Sequence, residues 1–438
     1  MSTINIEGGT PLIGTVNISG STNSAIKLIY AAMFSNEDVI LDNVPKVGMV
    51  ENDLEVVRSV GAKAEWVSGG RLLLNGSGID SYKISPELGS KYRTSYLFAG
   101  ALLYRFGKAQ FPKINEETLK YGSVNRFFET WKSLGITIEE DKDFYLLTAE
   151  NLTGGHVSFK NPTHLGTDNA ILSSLFMSGE TIISNASQEP EIDDHISFLK
   201  TIGANVERIE PTKIKVVGSN IFKGGSFRVC TDKVEAVFFA AAALLTGGNI
   251  LIKGAEKESL AAFINYLLKI GARFEFSGSE LKVWKTDEEL NAEKITIAPY
   301  PGLIPEWQSI LTLVATKSNG ESLIHDTVYP DRFEYVQDLN RMGAHIELVK
   351  PSEAGLSSVV SSDVYDEKQG EPATIAKVLG PVKLKATRLN IETARYGPVL
   401  VLAALIAEGK SEIFDSEKVE NGFENFYEKL KNLGAKIN

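Results

Sequence analysis

A turn signature that recurs six times constrains this chain more than any other feature. VGAKAE begins at Val60, LGITIE at Leu134, IGANVE at Ile202, IGARFE at Ile270, MGAHIE at Met342 and LGAKIN at Leu433. Each follows a run of helical period such as ENDLEVVRSVG or FINYLLKIG and leads into an alternating apolar/polar stretch. Helix, glycine cap and strand is the reading each supports. The glycines at 61, 135, 203, 271, 343 and 434 are spaced by 74, 68, 68, 72 and 91 residues, a period near 70.

A second signature interleaves with the first. AAMFSNEDVIL, AGALLYRFGKAQF, SSLFMSGETII, AAALLTGGNILI, LVATKSNGESLI and AALIAEGKSEIF are small-residue apolar helices, stopped by Gly or Asn and followed by strands. Each unit therefore holds one amphipathic and one almost wholly apolar helix. A helix apolar all round must be buried on every side, which predicts apolar helices enclosed by sheets and amphipathic helices half exposed. Single cores stop growing near ~250–300 residues, so six units favour two pseudo-symmetric domains of three; open-solenoid repeats are shorter, at roughly 20–45 residues. The polar glycine stretch FKGGSF, Lys223 to Ser226, marks the expected break. The sixth unit is expected to carry an insertion of roughly 20 residues near 350–372 as a surface loop or lid.

Composition excludes several function classes. A formal charge of -11 repels phosphate backbones and anionic membranes, so neither nucleic acid nor a membrane is an expected partner. One cysteine, Cys230, excludes a disulfide framework, and five scattered histidines with no i,i+4 pair argue against a metal site. No apolar run approaches ~20 residues and the start of the chain has no signal-peptide pattern, so the expected location is the cytoplasm.

INIEGGTPLIGTVNISGSTNSA, NVPKV at Asn43, KYRTSYLFAGALLYRFG, LGTDNAILSSLFMSGETIISNASQEPEI, DRFEYVQDLNRMGAHIE and GFENFYEKLKNLGAKI together resemble the enolpyruvyl transferases. The closer branch is the one acting on UDP-N-acetylglucosamine and the more distant one acts on shikimate phosphate. The resemblance covers nearly the whole chain. It implies an α/β fold of two inverse α/β barrel-like domains, each of three βαβαββ repeats, hinged around a cleft. Residues 21–229, with a mobile loop near 112–122, would form one domain; residues 1–20 and 230–438 would form the other.

The implied activity is carboxyvinyl transfer from phosphoenolpyruvate to a UDP-N-acetylglucosamine-like acceptor, in peptidoglycan precursor synthesis. Small-molecule substrates, no cofactor and a monomer go with it. Such a reaction needs cations for phosphoenolpyruvate, groups that hold the sugar hydroxyl, and a general acid and base. By resemblance Arg93, Arg332 and Arg395 are anion-holding arginines; a solvated surface ion pair is the alternative for any one of them. Asn23 matches a substrate-contacting asparagine, or is an ordinary helix cap. Glu306 takes the place of an aspartate that positions or deprotonates the acceptor hydroxyl. His164, Leu165 and Gly166 match a nucleotide-contacting stretch, and Tyr329 a residue beside the acceptor sugar; capping and core packing are the alternatives. Glu189, Glu191, Lys233 and Glu235 look more like structural ion pairs.

The chain also departs from the family pattern. Thr22 stands where a phosphoenolpyruvate-contacting lysine is expected, and Asn421 where an arginine is. The loop FPKINEETLKYGSVNR offers Glu117 or Glu116, with Asn115, in place of the usual acid, and only Lys120 and Arg126 as nearby cations. Both Thr22 and Asn421 are expected to border solvent. These losses leave two alternatives to the standard reaction: a divergent paralogue acting on another nucleotide or phosphorylated substrate, and a catalytically silent UDP-sugar-binding protein.

Overall fold

In a computed structural model of the chain, residues 2–115, 124–361, 365 and 367–438 are described. The chain divides into two compact units, Gly20–Cys230 and a discontinuous one formed by Met1–Ser19 with Thr231–Asn438.

Among the described residues, twelve principal helices carry the repeat. In the Gly20–Cys230 unit they are α1 (Thr22–Ala32), α2 (Gly48–Arg58), α3 (Ala99–Phe106), α4 (Asn125–Ser133), α5 (His164–Ser174) and α6 (Pro190–Thr201). In the discontinuous unit they are α7 (Lys233–Thr246), α8 (Ala261–Lys269), α9 (Gln308–Ala315), α10 (Tyr335–Arg341), α11 (Gly397–Ile406) and α12 (Phe426–Asn432). The odd-numbered helices are the ones expected to be buried, and α11 shows it most plainly: every residue from Gly397 to Leu405 is buried. The even-numbered helices keep an exposed stripe.

All six signature glycines have a left-handed φ, between 73° and 101°. That conformation ends each amphipathic helix and turns the chain into the next strand, and glycine enters it without steric cost.

Each unit builds three sheets around its buried helices. In Gly20–Cys230, Val39–Asp42, Lys108–Pro112 and Glu180–Ser184 each pair antiparallel with one arm of a hairpin, the hairpins being Lys63–Ser68 with Arg71–Asn75, Thr137–Glu140 with Phe144–Thr148, and Asn205–Glu210 with Lys213–Val217. Parallel strands complete two of these sheets: Gly225–Arg228 beside Val39–Asp42, and His156–Ser158 beside Glu180–Ser184. The FKGGSF stretch is therefore no domain break, because its second half is a strand of the first sheet of this unit. The discontinuous unit repeats the plan with N-terminal strands supplying missing pieces. Ile13–Asn17 lies parallel to Asn249–Lys253, and Thr3–Glu7 lies antiparallel to both Lys410–Phe414 and Lys436–Ile437.

The insertion also falls elsewhere than expected. It joins His345–Val349 to Ile375–Gly380, an antiparallel pair in the sheet of Ser318–Asp326, and so belongs to the fifth sheet rather than to a sixth unit.

The two cores are extensive but not uniformly apolar. Lys27 on α1 and Thr167, Asp168 and Asn169 on α5 are all buried. Two of the helices expected to be almost wholly apolar thus carry polar groups through the core, where each must be paired. Thr22 is 7% exposed, so the expectation that it borders solvent fails; Asn421 is exposed.

Candidate functional site

The expected site residues share a position in the repeat. Asn23 is the second residue of α1 and exposed, with Ser21 capping the helix by accepting from the Ser24 amide at 3.3 Å. Arg93, half-buried, opens the 3-10 turn Arg93–Phe98 that runs directly into α3. His164 is the first residue of α5, followed by half-buried Leu165 and buried Gly166, whose amide donates to Thr163 Oγ1 at 3.3 Å. In the discontinuous unit, exposed Glu306 lies in the 3-10 turn Pro305–Trp307 that leads into α9, and exposed Arg395 stands two residues ahead of α11. These seven therefore stand at, or just ahead of, the N-terminal ends of buried helices, where unpaired amides and the helix dipole favour anions. Glu117 lies outside the described residues, as does Glu116.

In the discontinuous unit a turn after the long strand Ser318–Asp326 delivers two more. Asp326, buried at the strand end, accepts from the amides of Val328 and Tyr329 at 2.8 and 2.9 Å and so fixes the turn. The Arg332 guanidinium carbon lies 3.2 Å from the centroid of the Tyr329 ring, a close cation–π stack. Arg332 is 7% exposed and its Nη1 is 3.9 Å from Glu306 Oε1, while the Glu306 side chain is 44% exposed. A carboxylate open to solvent beside a nearly buried guanidinium can take a proton from a bound hydroxyl while the cation holds an anion. Burial pushes the Asp326 carboxyl up to about 6, against the pull of the two amides and of the Arg332 charge. Gln308 Nε2 reaches Asp326 Oδ2 at 3.5 Å, and Tyr335 donates to Gln308 Oε1 at 3.0 Å, so the turn is braced from α9 and α10.

The Gly20–Cys230 unit holds a buried polar network that the site expectations did not include. Lys27 Nζ lies 3.3 Å from His164 Nε2 and 3.8 Å from Asp168 Oδ2, and His195 Nδ1 lies 2.8 Å from Asp168 Oδ1. Close by in the fold, Asp53 on α2 accepts from Tyr30 Oη at 2.5 Å and from Thr94 Oγ1 at 3.0 Å. Thr94 adjoins Arg93, and Lys27 stands one turn beyond Asn23. A charge inside the apolar run SAIKLIYAA, and Asp-Asn in the middle of a buried helix, are the sequence signals that could have found this network.

Burial pushes the Asp53 carboxyl up to about 7 from 3.8, despite the hydrogen bonds from Tyr30 and Thr94 and the charge of Lys27. The folded chain then binds more protons than the unfolded chain between those two values, so Asp53 costs stability as pH rises from 4 to 7 and the full penalty remains above 7. Asparagine keeps an acceptor for Tyr30 without the charge. Asp53→Asn is therefore expected to gain on the wild type by about 3 kcal/mol between pH 4.5 and pH 8. Urea unfolding at both pH values reads this; a pH-independent difference would show that Asp53 ionises as an ordinary carboxylate.

Glu235 and Lys429 form the expected kind of structural pair, 2.5 Å apart. Among the described residues no group of three or more His, Cys, Asp or Glu could hold a metal ion, and no helix is long and apolar enough to cross a membrane.

Comparison with known proteins bears on the family and the fold. Residues 6–430 match the family model for EPSP synthase (3-phosphoshikimate 1-carboxyvinyltransferase). The chain is 32% identical over 434 residues to UDP-N-acetylglucosamine 1-carboxyvinyltransferase 1 of Caldanaerobacter subterraneus subsp. tengcongensis, covering 99% of this chain and 98% of that protein. It is 31% identical to the UDP-N-acetylglucosamine 1-carboxyvinyltransferase of Chlamydia abortus, covering 100% and 98%. Among solved structures, the enolpyruvyl transferase NikO from Streptomyces tendae superposes with a TM-score of 0.86 at 21% identity, covering 100% of this chain and 98% of that one. EPSP synthase from Acinetobacter baumannii does so with a TM-score of 0.70 at 16% identity, covering 100% and 99%.

Proposed function

The chain belongs to the EPSP synthase family, and from that premise we propose that it transfers the carboxyvinyl group of phosphoenolpyruvate to a hydroxyl of a UDP-N-acetylglucosamine-like acceptor, in peptidoglycan precursor synthesis. The observation that carries the reading is the Glu306–Arg332–Tyr329 arrangement, in a chain similar over its full length to curated carboxyvinyltransferases.

The chemistry is addition followed by elimination. The acceptor hydroxyl oxygen bonds to C2 of phosphoenolpyruvate as its methylene carbon gains a proton, and the resulting ketal phosphate then loses inorganic phosphate and that proton. Glu306 takes the hydroxyl proton. Arg332 and Arg395 hold the carboxylate and phosphate of the donor. Asn23, Arg93 and the start of α5 at His164, Leu165 and Gly166 bind the nucleotide-sugar, and Tyr329 flanks the sugar. The methylene proton is assigned to Glu117 or Glu116.

Thr22 and Asn421, at positions where the resemblance implies cations, support a second reading in which the chain is a divergent paralogue acting on another nucleotide or phosphorylated substrate. One assay separates the two. Phosphate release from phosphoenolpyruvate is measured with UDP-N-acetylglucosamine and, in parallel, with UMP, UDP and other nucleotide-sugars. Release that depends on UDP-N-acetylglucosamine supports the first reading and release with another nucleotide alone selects the second. Binding without release under any condition rejects both.

A further inference from the structure

The proposed reaction makes no use of Lys27, although a lysine 2% exposed in a hydrophobic core needs a reason to be there. Two polar contacts define its role. Nζ lies 3.3 Å from His164 Nε2 and 3.8 Å from Asp168 Oδ2. Asp168, wholly buried, takes His195 Nδ1 on Oδ1 at 2.8 Å, while its Oδ2 has no hydrogen-bond partner and lies 3.7 Å from His164 Nε2.

An ammonium group has three donors and no lone pair. A contact of 3.3 Å with a ring nitrogen therefore requires that Nε2 accept. An imidazole that accepts at Nε2 is neutral and carries its proton on Nδ1. A protonated His164 would instead aim an N–H at a cation. Asp168 Oδ2, 3.8 Å from Nζ, sets an opposite charge beside the ammonium inside the core.

We propose that Lys27 and Asp168 are positioning residues that lock His164 as the neutral Nδ1–H tautomer, making it a hydrogen-bond donor to an acceptor oxygen of the nucleotide. The assignment to a nucleotide rests on the function proposed above; the tautomer does not. His164 is the first residue of α5 and its ring is 23% exposed, so the donor belongs to a helix start that already favours an electron-rich oxygen. A base carbonyl and a phosphate share this chemistry.

Long-range 1H–15N correlation of the histidine rings in the unliganded protein, with His164 assigned by loss of its signals in His164→Gln, tests the lock without any change to the core. The expected spectrum has a protonated Nδ1 and a lone-pair Nε2; a protonated Nε2, alone or with Nδ1, overturns the proposal. Lys27→Met is then expected to shift that tautomer and to weaken UDP binding about tenfold, the scale of one lost hydrogen bond to an ordered donor. Should Lys27→Met not fold, Lys27→Met with Asp168→Asn removes both charges and serves for the same measurement. Equal weakening for UDP and uridine places the acceptor on the nucleoside, and weakening for UDP alone places it on a phosphate. Unchanged UDP affinity with an altered tautomer overturns the recognition role. A wild type that binds no nucleotide but shows the Nδ1–H tautomer contradicts the proposed function and the ligand assignment, and leaves the lock established.

Discussion

Glu306→Gln is expected to slow acceptor-dependent phosphate release by about 10²–10⁴, the range that a positioned general base contributes. The substitution keeps the shape of the side chain and its place in the turn ahead of α9, and removes only the ability to take a proton. Because the Glu306 side chain is 44% exposed and 3.9 Å from Arg332, losing its charge should disturb neither the core nor the Arg332–Tyr329 stack. The change should therefore appear in kcat, with little effect on nucleotide affinity or on the melting temperature. A fall in affinity with kcat preserved would show Glu306 to be a binding group, whereas a fall in stability would make it a structural partner of Arg332.

The largest effect on folding is expected at Lys27. Lys27→Met fills similar volume but leaves Asp168 as a buried carboxylate without its nearest lysine, and breaking a buried pair from one side typically costs about 3–5 kcal/mol. Adding Asp168→Asn to Lys27→Met should recover most of that loss, since removing both charges of a buried pair is often close to neutral. Urea denaturation of the single and double variants measures the difference. If Lys27→Met unfolds at the wild-type midpoint, the pair contributes nothing to the fold and Asp168 is compensated elsewhere.

What could be read from the sequence divides along the range of the interactions. The six helix–glycine–strand units were legible because a left-handed residue at the end of each amphipathic helix is a local demand, met by Gly61, Gly135, Gly203, Gly271, Gly343 and Gly434. The pairing of Thr3–Glu7 with Lys410–Phe414 links segments some 400 residues apart, and no local pattern could announce it. Only the resemblance to a family pointed there. FKGGSF misled for a related reason: glycine and polarity read as a linker, yet the parallel partner Val39–Asp42 makes the stretch an edge strand.

The site shows the same division. Glu306, Arg332 and Arg395 were found from motif positions, but the stacking of Arg332 on Tyr329 and its approach to Glu306 depend on how a strand, a turn and two helices meet. Lys27 was passed over although its setting in SAIKLIYAA was visible. A charged residue is read as surface by default, and its partners His164 and Asp168 lie on α5, more than 130 residues away. Thr22 was expected to border solvent in an open cleft, but successive residues at a helix start face different ways, and Thr22 is buried while Asn23 is exposed.

The central claim is that phosphoenolpyruvate is cleaved at its C–O bond with transfer of carbon to the acceptor, and the fate of the bridging oxygen tests it most directly. Phosphoenolpyruvate labelled with 18O at the bridge is incubated with the protein and UDP-N-acetylglucosamine, and the phosphate and nucleotide products are weighed by mass spectrometry. Carboxyvinyl transfer predicts that the label leaves with inorganic phosphate and that the nucleotide-sugar gains an unlabelled carboxyvinyl group. Label retained in pyruvate, or in a carboxyvinyl product, would mean that the P–O bond breaks instead, and the assignment of Glu306 and Arg332 to enolpyruvyl transfer would fall with it.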